Sequence, residues 1–155
     1  MQTLTVGSKA PMFTLNNQHG QSVSLASLLE QGQVLVYFYP KAMTPGCTVQ
    51  ACGIRDNFDK FQEKHISVVA ISPDPVKSLA KFAERDQLPF ILLSDEDHQV
   101  ADAFGVWGSK KFMGKVYDGI HRISFLLAQD GTVVQVFDSF KTSNHHQVVL
   151  DALGA

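Results

Sequence analysis

Two cysteines in 155 residues are too few to scaffold a fold with disulfides, and the Cys-x-x-Cys spacing of dithiol oxidoreductases is absent. No apolar run is long enough to cross a bilayer. The N-terminal Met1-Gln2-Thr3-Leu4-Thr5-Val6-Gly7 lacks a basic segment followed by an apolar core, so no secretory signal is expected and a cytoplasmic location is. In such a reducing compartment a transient catalytic disulfide is favoured over a permanent one. A formal net charge of -2 gives no broad electrostatic case for nucleic acid or an anionic membrane, and neither is expected as a partner. There is no internal repeat, low-complexity tract or linker, so residues 1–155 are expected to form a single domain. Metal-site candidates are weak. Asp95-Glu96-Asp97-His98 has too few oxygen ligands at set spacing for a calcium loop, and adjacent His145-His146 cannot face one ion from a helix. The first reads as a helix start with solvated charge, the second as surface, and neither a metal nor a cofactor is expected.

What the chain does have is core-forming material: 45% hydrophobic residues against 18% charged, in a length that buries most of its apolar surface. Met12–Leu15 and Ser22–Leu25 flank a Gly-containing turn and predict an N-terminal hairpin. A short helix follows over Leu25–Glu30. Val34–Tyr39, His65–Ser72 and Phe90–Leu93 are apolar runs that predict buried parallel strands. Helices are expected between them, one from about Cys47 to Lys64 and one carrying Val76, Leu79, Phe82 and Ala83, then a third opened by Asp97 or His98. From Gly105 to His121 no period is visible. Ile123–Ala128 and Thr132–Phe137 predict a second hairpin, and Ser143 or Asn144 caps a last helix. Strands alternating with helices imply a mixed sheet covered on both faces, with ligands at the carboxyl ends of its strands.

One such end carries Pro40-Lys41-Ala42-Met43-Thr44-Pro45-Gly46-Cys47-Thr48-Val49-Gln50-Ala51-Cys52. Pro40 ends the strand, Pro45-Gly46 turns the chain, and Thr44 or Thr48 is placed to cap the helix that follows. Cys47 therefore falls in a first helical turn, where unpaired N–H groups and the helix dipole favour an anion. The thiolate is the nucleophilic form of cysteine, so this position favours a reactive thiol over a buried structural one.

The string Tyr37-Phe38-Tyr39-Pro40-Lys41…Thr44-Pro45-Gly46-Cys47-Thr48…Cys52 resembles the active-site signature of peroxiredoxins, in particular the bacterioferritin comigratory protein, or peroxiredoxin Q, subfamily. Leu93–His98, Phe104–Gly108 and Asp118–Leu126 extend the resemblance nearly end to end. It implies a thioredoxin-like fold and a thiol peroxidase of hydrogen peroxide and organic hydroperoxides, acting in antioxidant defence. It implies Cys47 as the thiol that becomes a sulfenic acid, Thr44 and Pro40 as residues shaping the peroxide site, and Arg122 as the fixed cation. From spacing alone Arg122 reads equally well as a surface residue at a strand end. Cys52 reads as either a core cysteine or a resolving thiol; some subfamily members resolve here, some from the next helix and some lack a resolving cysteine. Val76–Arg85, the next helix, has none. Thioredoxin is the implied reductant, with glutaredoxin or glutathione as alternatives, and the subfamily tends toward monomers. A dithiol–disulfide oxidoreductase and a redox sensor are the competing readings. In the stretch without a period, Trp107 reads as satellite core, and Phe112 and Met113 as the wall of a substrate pocket.

Overall fold

In the computed structural model, residues 1–154 are described. Along the chain come β1 (Thr14–Asn17), β2 (Ser22–Ser24), α1 (Leu25–Leu29), β3 (Gln33–Phe38), α2 (Pro45–Asp56), α3 (Phe58–Glu63), β4 (Ile66–Ser72) and α4 (Val76–Asp86). They are followed by β5 (Ile91–Ser94), α5 (Gln99–Phe104), β6 (Trp107–Phe112), β7 (Lys115–Ile120), β8 (Ser124–Leu127), β9 (Val133–Phe137) and α6 (His145–Ala152). Seven strands form one mixed sheet in the order β2-β1-β5-β4-β3-β8-β9. The interior strand β3 lies parallel to β4 on one side and antiparallel to β8 on the other.

The pleat of β3 divides two cores. Leu35 and Tyr37, with Tyr39 beyond the strand, pack among Cys47, Ile54, Phe61, Leu79, Phe82, Val149 and Leu150 of α2, α3, α4 and α6. Val34, Val36 and Phe38 point to the opposite layer, with Leu25, Leu28 and Leu29 of α1 and Val100, Ala101 and Phe104 of α5. A strand buried on both faces must be apolar at every position, which is why it reads as a continuous run rather than an alternation. The mixed sheet with helices on both faces and the N-terminal hairpin are as expected, the hairpin lying two residues further along β1 than its apolar pattern suggests.

Four readings are corrected. The helix expected to run from the cysteine to Lys64 is broken at Asn57, whose side-chain amide donates to the Gly53 carbonyl at 2.9 Å. An asparagine that competes for backbone groups in this way ends a helix. The stretch from Gly105 to His121 is ordered: β6 and β7 form a separate two-stranded sheet closed by Met113-Gly114, both at positive φ (51° and 79°). A type I′ two-residue loop needs positive φ at both positions, and Met-Gly lacks the Asn or Asp that usually signals it. Phe112 and Met113 sit at this tip, 66% and 86% exposed, too open to solvent to wall an enclosed pocket. Trp107, by contrast, packs against the α1/α5 core as expected, its indole stacked on His98 at 3.8 Å. Last, His145 is not on the surface but fully buried.

Candidate active site

Beyond β3 the chain passes through half-buried Pro40 into a turn held by a carboxylate. Asp74 Oδ2 accepts from the Ala42 N–H at 2.8 Å and from the Ser72 hydroxyl at 2.8 Å. Met43 takes φ 66°, the left-handed region that a non-glycine residue rarely adopts, and Thr44 follows as the N-cap of α2 with Pro45 in its first turn. Thr44 caps by position only. Its hydroxyl donates to the Lys41 carbonyl at 2.8 Å and makes no bond to the helix N–H groups. With its proton committed, Thr44 Oγ1 has only lone pairs to offer a ligand.

Cys47 lies in the first turn of α2, 2% exposed, on the buried stripe of Gln50, Ala51 and Ile54. Across from it, β8 runs antiparallel to β3, with Ser124 opposite Tyr37 and the Phe38 N–H donating to the Ile123 carbonyl at 3.2 Å. That register brings Arg122, two residues before Ser124, beside the end of β3. Its Nη1 donates to Gln50 Oε1 at 2.8 Å. A Cβ on Gly46 would stand 3.2 Å from Arg122 Nη2, so the glycine is what allows the guanidinium to lie against the helix N-terminus one residue before Cys47. Arg122 is therefore held against the start of α2 and is not a free surface arginine. The structure gathers Pro40, Thr44, Cys47 and Arg122 at the carboxyl end of β3.

Cys52 is partly exposed, and both cysteines are free thiols. Both lie within one uninterrupted helix, five residues apart, and regular α-helix geometry separates their Cα atoms by about 8.6 Å. Burial holds the Cys52 thiol above its ordinary range; Arg55 works against this, and Asp86 and Asp56 add to it.

Sequence reading missed four residues that build this site. Gln50 orients Arg122; its signal was a polar side chain three residues after Cys47 on the apolar face of the helix. Asp74 fixes the turn, hidden in a Pro-Asp-Pro that reads as a loop. His145 packs its ring on Tyr37 and Phe140 and shares a 2.7 Å hydrogen bond between Nε2 and the Ser124 hydroxyl. Burial, with the charges of His146 and Arg122 nearby, lowers its pKa to about 3, so the ring is neutral. Lys110 reaches from β6 to donate to the Ile120 carbonyl at 2.7 Å, two residues before Arg122.

The AhpC/TSA family pattern matches residues 6–136. The chain is 60% identical to peroxiredoxin Bcp of Escherichia coli (strain K12) over 154 residues, covering 99% of this chain and 97% of that one. The chain belongs to the AhpC/TSA family of peroxiredoxins. Among solved structures, peroxidoxin BcpB of Mycobacterium tuberculosis superposes with a TM-score of 0.86 at 39% identity, over 96% of both chains. The bacterioferritin comigratory protein of Xanthomonas campestris, studied for its alkyl peroxide reduction, gives 0.85 at 32% identity over 92% of this chain and 90% of that one. The thioredoxin-like fold and the Bcp/peroxiredoxin Q assignment both follow. This peroxiredoxin is a thiol peroxidase, and its two cysteines fit the atypical 2-Cys type.

Proposed function

We propose that Cys47 is the peroxidatic cysteine, with Thr44, Arg122 and Pro40 completing its site, and that Cys52 resolves the oxidised form. The observation that carries this reading is the Arg122 guanidinium, fixed by Gln50 against the helix N-terminus that bears Cys47. The Cys47 thiolate attacks the nearer oxygen of a hydroperoxide. A sulfur–oxygen bond forms, the O–O bond breaks, and the second oxygen leaves as water or alcohol, taking up a proton. Thr44 Oγ1 accepts a hydrogen bond from the peroxide O–H, since its own proton is given to Lys41. Arg122 presents several donors to the sulfur and to the oxygen on which charge develops, which a point charge cannot do. Pro40, without an N–H, walls the pocket and keeps water from the sulfenic acid.

The Cys52 thiolate then attacks the sulfenic sulfur, water leaves, and a disulfide forms. An external dithiol returns the pair to thiols by exchange. Thioredoxin is the reductant, hydrogen peroxide and organic hydroperoxides are the substrates, and the protein works as a cytoplasmic monomer in which the whole chain is one domain. The test is peroxide-dependent NADPH oxidation with thioredoxin and thioredoxin reductase, run beside insulin reduction. Turnover in the first and none in the second is expected. The reverse pattern would make the protein a dithiol oxidoreductase, and peroxide consumption supported by glutaredoxin alone would replace the reductant.

A further inference from the structure

The eight large apolar side chains exposed among the described residues are unevenly placed. Four of them, Phe112, Met113, Val116 and Tyr117, fall within six residues at the end of the β6–β7 hairpin. The other four are scattered over the N-terminal segment and α2. The hairpin pairs with no strand of the main sheet. Register places Lys110 opposite Tyr117, Phe112 opposite Lys115, and Lys111 opposite Val116. Side chains alternate along each strand, so Lys110, Phe112, Lys115 and Tyr117 share one face while Lys111 and Val116 share the other. Each face carries apolar groups with ammonium groups beside them. The hairpin has three lysines against the single carboxylate of Asp118, in a chain whose formal net charge is -2.

We propose that this tip is a docking surface for an anionic lipid bilayer. A two-residue tip is narrow and convex, and it offers far less than the roughly 800 Å² that each partner of a stable protein complex buries. Two apolar residues at the very end, with lysines flanking them on both strands, suit a different surface. Phe112 and Met113 enter the boundary between headgroups and acyl chains, Tyr117 sits at headgroup level, and Lys111 and Lys115 meet the phosphates. Whole-chain charge gives no hint of this, because the cations that matter lie within about one Debye length of the tip. Lys110, on the same face as Phe112 and Tyr117, donates to the Ile120 carbonyl at the end of β7, two residues before Arg122. The hairpin that docks by its tip therefore leads at its base directly into the candidate site. The consequence for catalysis, that hydroperoxides carried in the bilayer are favoured substrates, rests on the peroxidase reading; the binding itself does not.

The test is co-sedimentation of the reduced protein with vesicles of equimolar phosphatidylglycerol and phosphatidylcholine, and with phosphatidylcholine alone. Binding is expected to the anionic vesicles only, and to be lost in 0.5 M salt by screening. The double substitution Lys111→Gln with Lys115→Gln should weaken binding roughly thirtyfold, and Phe112→Ser with Met113→Ser should weaken it comparably. In both double variants turnover of dissolved hydrogen peroxide should persist while turnover of vesicle-borne phospholipid hydroperoxide falls. Absent binding, equal binding to neutral vesicles, or binding unchanged in both variants overturns the proposal. So does concentration-dependent self-association that Phe112→Ser with Met113→Ser removes, which would assign the tip to a second copy of the chain. Sedimentation reads binding without turnover, so failed docking and a failed peroxidase reading remain separate results.

Discussion

At the scale of single residues, the site depends on how few groups surround one sulfur. Cys47→Ser should have no peroxide turnover above background, because a hydroxyl is barely ionised at neutral pH and attacks O–O bonds poorly. Arg122→Ala should lower kcat/KM for peroxide by about a hundredfold or more, the usual cost of removing one donor from a developing oxyanion. Arg122→Lys should recover only part of this, since an ammonium cannot reach Gln50 and the substrate with the same planar fork. Equal rates of peroxide attack in wild type and Arg122→Ala would remove Arg122 from the site. Cys52 makes a different prediction. Its thiol is held above the ordinary range first by burial, so at neutral pH little of it is thiolate. Disulfide formation after a stoichiometric pulse of peroxide, followed by quenching and mass spectrometry, should therefore quicken about tenfold per pH unit between pH 6 and pH 8. A flat profile would mean that something other than ionisation limits resolution.

The element that would impose such a limit is α2. Disulfides need Cα atoms within roughly 7 Å and converging Cβ directions, which positions five apart on a regular helix do not provide. On the proposed Cys47–Cys52 disulfide, the first turns of α2 must unwind once Cys47 is oxidised. Two contacts tie this helix to α4: Arg85 Nη2 donates to the Thr48 hydroxyl at 2.8 Å and Arg55 Nη1 to the Asp86 carbonyl at 2.7 Å. Gly53 adds a third constraint, because the His146 ring of α6 occupies the space its Cβ would take. Unwinding breaks the Thr48 contact, while the break at Asn57 confines the change to the N-terminal piece. Hydrogen exchange over residues 46–54 should be faster in the oxidised protein than in the reduced one. Equal protection in both states, with a Cys47–Cys52 disulfide established by mass spectrometry, would refute the mechanism. The start of the helix was readable, because Pro45 and the turn before it are local signals, whereas the apolar spacing of Ile54, Phe58 and Phe61 carried the reading past Asn57 into α3. The lysine-rich β6–β7 hairpin was not, since it has neither a buried face to impose alternation nor an Asn-Gly at its turn. Nor was the Arg122–Gln50 pair, whose members lie 72 residues apart and meet only through the register of β8 on β3.

For the whole molecule, His145 couples the buried site to stability. It joins α6 to β8 through Ser124 and to β3 through Tyr37, in the same core that holds Cys47. Its folded pKa of about 3 lies below the 6.5 of an ordinary histidine, with burial the first cause. Between those two values the unfolded chain binds a proton that the folded chain refuses, so stability rises with pH through this window. Read downward, stability is intact above about pH 6.5 and drains away as pH falls toward 3. The full shift corresponds to roughly 5 kcal/mol, comparable to the total stability of many domains of this size. Asp95 acts in the opposite sense. Burial raises its pKa although the Val100 and Ala101 N–H groups bond its carboxylate, so the folded state takes up that proton more readily and gains on acidification. The histidine shift is the larger of the two, so net acid lability is expected. His145→Gln offers Ser124 a neutral partner that does not titrate. Its melting temperature should therefore fall less steeply than that of wild type between pH 6.5 and 4, even if it starts lower. Parallel slopes in the two proteins would show that His145 is not the group whose protonation opens the core.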